Sequence, residues 1–155
     1  MLWRVGDHVR MRFHPWLLVP IALYLMVVGW ITLGPEPYGA TGSGLLWHAL
    51  DIFGRHSSTQ WLTFSVVEGL ANIAMFVPLG FLLAMFFPRR LFLVAVALCV
   101  LMSMGIEAYQ GSFLPTRVDD IRDVFNNGTG GLVGALVATA GRMIVAPRSR
   151  RLRAA

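Results

Sequence analysis

The sequence predicts an all-α, polytopic transmembrane bundle of four spans, with a short interfacial helix in the first outer loop. Three observations point there. Only 14% of the 155 residues are charged, where a soluble domain of this size carries about a quarter. Four stretches contain no Asp, Glu, Lys, Arg or His: Pro15 to Pro35, Gly69 to Pro88, Leu91 to Ile106 and Val124 to Gly141. The polar residues that interrupt the hydrocarbon fall at one depth on three helices, those of the fourth on a single face. Together these features predict a single membrane domain over 1–155.

The four stretches run 21, 20, 16 and 18 residues. Roughly 20 residues at about 1.5 Å each cross the hydrocarbon layer, so the third is the shortest that qualifies. With their flanks they predict spans at about 15–34, 65–87, 91–109 and 121–145. The first has a basic start and an apolar centre. It is long for a signal-peptide core, and Tyr38-Gly39-Ala40 is a poor cleavage site, so it is expected to stay as a span. Thr32-Leu33-Gly34-Pro35 ends it with helix-stopping residues. In the outer segment, Leu45, Leu46, Ala49, Leu50, Ile52 and Phe53 recur at roughly helical spacing beside Trp47, the pattern of a helix lying along the interface.

The second helix is expected from near Trp61 and carries Pro78, a kink rather than a break. Pro88-Arg89-Arg90 predicts a tight turn, and Gly111 to Pro115 a second outer loop. Thr116 is a candidate cap for the fourth helix.

All 13 basic residues are arginines. Four crossings place Arg4, Arg10, Arg12, Arg89, Arg90, Arg142, Arg148, Arg150, Arg151 and Arg153 on one side, against Asp7 alone. The other side holds three arginines against Glu36, Asp51, Glu68, Glu107, Asp119, Asp120 and Asp123. The positive-inside rule then puts both termini in the cytoplasm. Juxtamembrane arginines meet anionic lipid headgroups, so the basic tail is read as a membrane contact and not a nucleic-acid patch. Cys99 is the sole cysteine, which excludes an intramolecular disulfide.

Arg117, Asp120, Asp123, Asn127, Gly130 and Gly134 are offset by three, three, four, three and four, and so share one helical face. Counting about 1.5 Å per residue from the cytoplasmic arginines sets Glu68, Asn72, Glu107, Gln110, Asp120, Asp123 and Asn127 at about 22–33 Å. Polar groups from three helices thus occupy one slab near the outer boundary, and intramembrane ionisable residues mark function or an internal partner. Gly130, Gly134 and Ala138 let another helix approach closely. The expected use is an internal contact, since the polar residues on that face also need cover, with a dimer seam as the alternative.

These residues carry a resemblance. Glu68 with Asn72 to Gly80 (Asn-Ile-Ala-Met-Phe-Val-Pro-Leu-Gly), then Glu107-x-x-Gln110, then Arg117-x-x-Asp120-x-x-Asp123-x-x-x-Asn127-x-x-Gly130 resemble the VanZ-like family of small bacterial membrane proteins. The Thr32 to Pro35 exit is similar too, so the likeness runs from about Pro15 to Ile144. It implies four or five helices in the bacterial plasma membrane and a role in cell-envelope biology. The founding member is associated with teicoplanin resistance. One departure is Arg122, where members often carry an acid beside Asp123, which weakens any mechanism needing three clustered carboxylates on the fourth helix.

Glu107, Asp120 and Asp123 are the candidate ligands for a divalent cation, the only cofactor in view. Arg117 and Arg122 suit a phosphate or carboxylate. Such a set fits a lipid-linked cell-wall precursor at the outer leaflet. The competing reading is structural: arginine–carboxylate pairs, with Asn72, Gln110 and Asn127 bonding across helices. No nucleophile–base pair is legible, so the reading leans away from an enzyme. His48 and His56, eight apart with no Cys or third His nearby, make a poor zinc site. Three functions stay open: an envelope protein influencing glycopeptide sensitivity or binding a precursor lipid, an enzyme acting on a lipid-linked phosphate or glycan, and a small transporter or channel subunit.

Overall fold

The computed structural model describes residues 13–34, 48, 50–114 and 120–145. Four long helices appear in order: α1 (Leu18–Leu33), α2 (Phe64–Phe86), α3 (Phe92–Phe113) and α4 (Ile121–Val145). No strand occurs among the described residues. Most of the expected interfacial segment, 36–47 and 49, lies outside them; residues 50–54 are helical.

Each helix starts and stops for a local reason. A 3-10 turn at Pro15–Leu17 leads into α1, with Pro15 where a missing N–H costs nothing. The chain leaves α1 through an extended Gly34. Helix α2 begins at Phe64, three residues past the expected Trp61, because Thr63 is its cap and accepts from the Val66 N–H at 3.4 Å. It runs through Pro78 without a break. A 3-10 turn at Arg89–Leu91 reverses the chain. Helix α3 runs on to Phe113, so Gly111 to Phe113 are helical where a loop was expected. Buried Glu107 and Gln110 lie within α3 and do not end it. The cap of α4 is Asp120: its Oδ1 accepts from the Arg122 N–H at 2.8 Å. Thr116, the expected cap, lies outside the described residues.

Three helical segments, Pro15–Leu33, Phe64–Phe86 and Arg89–Phe113, are long and apolar enough to cross a membrane. Helix α4 has 25 residues. It has the length for a crossing, but Asn126, Asn127, Thr129 and its glycines make it less apolar.

Contacts fix the directions. The His14 N–H reaches the Phe86 carbonyl, and Tyr24 reaches Met75, so α1 and α2 are antiparallel. Ser103 pairs with Asn127 and Cys99 abuts Gly131, so α3 and α4 are antiparallel as well. Helices α2 and α4 run parallel and form the tightest pair. Gly69 meets Asn126, the Ile73 carbonyl meets Gly130, the Val77 carbonyl meets Gly134, and Met85 meets Arg142. Each pair is 57 residues apart. A Cβ on Gly130 or Gly134 would be driven into the facing carbonyl oxygen, and one on Gly80 into the Gly131 backbone. Small residues are the means by which membrane helices gain packing contact, since lipid supplies no hydrophobic drive between them.

The middle of the bundle is filled by Val28, Phe76, Leu79, Cys99 and Ile106. The end near Arg89 and Arg142 closes on Ala84, Ala95, Ala135 and Ala138. Val19, Leu23, Met26 and Trp30 form an outward apolar face on α1, extended by Trp16 of the turn before it, with Trp30 86% exposed. Such a face suits hydrocarbon, and tryptophans near both ends of a span suit its interfaces.

Candidate functional site

Above the apolar middle, away from Arg89 and Arg142, lies a pocket of about 330 Å³. Glu68, Asn72 and Met75 of α2, Glu107 and Gln110 of α3, and Asp123 and Asn127 of α4 line it, with Tyr24 and Thr32 of α1. Six of the eight polar residues singled out from the sequence therefore meet around one space. Asp120 joins through its backbone, donating to Glu107 Oε2 at 2.9 Å. Arg117 lies outside the described residues.

The walls are tied together by bonds that each answer a local shortage. Helix α1 ends at Leu33, leaving its last carbonyls without intrahelical donors, and Pro35 has no N–H to offer. Gln110 Nε2 donates to the Thr32 carbonyl at 2.7 Å and fills that gap from α3. Pro78 gives the Ala74 carbonyl no N–H and crowds the turn before it. In that turn Tyr24 Oη donates to the Met75 carbonyl at 2.7 Å. The Glu107 carboxylate sits at the start of α4, where negative charge is favoured. Asn127 Nδ2 donates to Ser103 Oγ at 2.8 Å, joining α4 to α3.

One atom is left over. Asn127 is 3% exposed, lines the pocket, and its Oδ1 has no hydrogen-bond partner. Exchanging the two ends of the amide would leave Nδ2 bare instead. Either way a buried polar atom lacks a partner, which costs about 1–3 kcal/mol until something bonds it.

The polar part of the lining is mainly carboxylates and carboxamides, set among Ile31, Ala71, Met75 and Ile106. Arg122 does not share it; with Ser65, Gly69, Phe125 and Asn126 it lines a separate groove between α2 and α4. Among the described residues no group of three or more His, Cys, Asp or Glu side chains is placed to hold a metal ion. In the expected cation set, Glu107 Oε2 is taken by the Asp120 N–H and Asp120 Oδ1 by the Arg122 N–H. Gly130 and Gly134 lie below the pocket, against α2.

The VanZ/LLP1 family model matches residues 21–144, from the first turn of α1 to the last of α4. The chain belongs to the VanZ/LLP1 family. No curated protein and no solved structure shows a significant match to it. The family segment contains every described residue of the pocket, and with three apolar helices it makes this a membrane protein.

Three polar members of this VanZ/LLP1 site are not among the eight candidates: Tyr24, Ser103, and Thr32, which the sequence marks only as the exit of the first span. Their signal is spacing. Ile21, Tyr24, Val28 and Thr32 step by three, four and four along α1, and Ser103 precedes Glu107 and Gln110 by four and seven on α3. A hydroxyl costs little in an apolar stretch and does not stand out as a carboxylate does.

Proposed function

We propose that this protein binds a cell-envelope ligand at the outer leaflet and thereby influences sensitivity to glycopeptide antibiotics of the teicoplanin type. In this reading α4 is the fourth crossing, both termini are cytoplasmic, and the pocket opens toward the outer face of the bacterial plasma membrane. The arginine balance supports that orientation.

The observation that carries the proposal is the polar pocket, built from every helix and keeping one buried amide atom unpartnered. Its volume is at the small end of the range for ligand sites. It would therefore accept part of a lipid-linked cell-wall precursor, not the whole. Carboxylates and carboxamide oxygens are acceptors, so the fitting part is one that donates: hydroxyl, amide N–H or ammonium. The precursor's diphosphate would stay outside the pocket, at headgroup level.

Glu107→Gln and Asp123→Asn test this in cells challenged with teicoplanin, with membrane insertion checked by fractionation. Both variants should insert normally and lose protection. Full protection by both contradicts the proposal. The same purified protein should neither convert a labelled undecaprenyl-linked substrate nor give vesicles a substrate flux; either activity would favour the enzyme or the transporter instead.

A further inference from the structure

At the opposite end of the bundle from the pocket, Arg142 of α4 reaches across to the end of α2. Its Nη1 donates to the Phe87 carbonyl at 2.9 Å and its Nε contacts Met85 Sδ at 3.2 Å. Phe87 is the C-cap of α2, so one orphan carbonyl of that helix is satisfied from α4. Arg142 Nη2 is buried and has no partner. Two residues beyond Phe87 comes Arg89, the first residue of the turn that follows α2.

The fold thus sets two arginines at one end of the bundle, with no described carboxylate at that end. All described carboxylates, Asp51, Glu68, Glu107, Asp120 and Asp123, belong to the other end. Two neighbouring cations, one with a buried unbonded N–H, are held at a cost unless an anion sits between them. Planar guanidinium donors match phosphate oxygens in pairs. The surroundings narrow the source of that phosphate. Met143 and Ile144, which follow Arg142 on α4, are exposed and apolar, as are Phe13 and Trp16 at the start of α1. An occupant with an anionic head and hydrocarbon tails satisfies both the charge and these walls.

We propose that Arg142 and Arg89 form a binding site for the phosphate of an anionic lipid headgroup in the leaflet at this end. The site is independent of the polar pocket and needs only that this end of the bundle lies at headgroup depth. Arg142 positions the phosphate while capping α2, and Arg89, whose side chain bonds to no described residue, supplies the second charge.

The test is thermal unfolding of the full chain in detergent, titrated with phosphatidylglycerol, with phosphatidylcholine, or with inorganic phosphate. Phosphatidylglycerol should raise the unfolding temperature by several degrees, and the other two should not. R89Q should leave the lipid-free unfolding temperature unchanged but weaken the apparent phosphatidylglycerol affinity about tenfold, the effect of losing charge-assisted bonding. R142Q should lower the lipid-free unfolding temperature and abolish the lipid response. If R142Q fails to fold, R89Q alone decides the matter. Equal stabilisation by phosphatidylcholine, equal stabilisation by inorganic phosphate, or an unaltered lipid response in R89Q overturns the proposal.

Discussion

Asn127 is the residue where stability and the proposed binding part company. Its Nδ2 earns an inter-helix bond to Ser103, yet its Oδ1 stays buried and unbonded. Replacing both partners with apolar groups of similar size removes the bond and the shortage together, a change that is close to neutral. The double variant S103A/N127L should therefore unfold within about 1 kcal/mol of the parent, measured in detergent. It should also lose any glycopeptide protection the parent confers. A loss of several kcal/mol would mean that the pair serves the fold alone. The single variant S103A should be the worse of the two, since it leaves both ends of the buried Asn127 amide without a bond. At this scale the sequence is a good guide to carboxylates and carboxamides, because each is conspicuous among hydrocarbon. It is a poor guide to Tyr24, Thr32 and Ser103, whose hydroxyls bond to backbone or to a neighbouring helix only once the chain is folded.

Among the elements, the pairing of α2 with α4 is the most exacting. Gly134 faces the Val77 carbonyl and Gly80 faces the Gly131 backbone, with no room for a side chain at either. Gly134→Val or Gly80→Val should cost about 3 kcal/mol or more, because a backbone atom cannot rotate away as a side chain can. Gly105→Ala meets nothing within 4 Å and should be neutral or slightly stabilising through helix propensity. Equilibrium unfolding in mixed micelles separates the two classes; equal effects would show that the close approach is not what holds the pair. The small-residue pattern on the fourth helix is legible in the sequence, but its partner is not. Nothing in Gly130-x-x-x-Gly134 names α2 rather than α3 or a second copy. Element ends are blurred where polarity suggests a boundary: Glu107 and Gln110 read as the edge of a span, and the helix continues to Phe113 because both are buried by neighbouring helices.

For the whole molecule, the arginine distribution and the contacts agree on which elements share an end. Arg142 meets Phe87, just ahead of Arg89, at one end, and Glu107, Asp120 and Thr32 lie at the other. With Cys99 replaced by Ala, a single cysteine at Trp61 should react with a membrane-impermeant maleimide on intact cells. A cysteine at Ser149 should react only after lysis. The reverse pattern would invert the assignment and put the polar pocket on the cytoplasmic side. The α2–α4 register also bears on how such a chain can vary. Removing one residue between Gly69 and Gly80 would turn everything after it by about 100° and shift it by about 1.5 Å. Phe81 would then take the place of Gly80 against the Gly131 backbone, where there is no room for a side chain. Substitution has some latitude on the lipid side of these two helices, but their length has almost none. Insertions and deletions in this protein should therefore collect in the loops and tails.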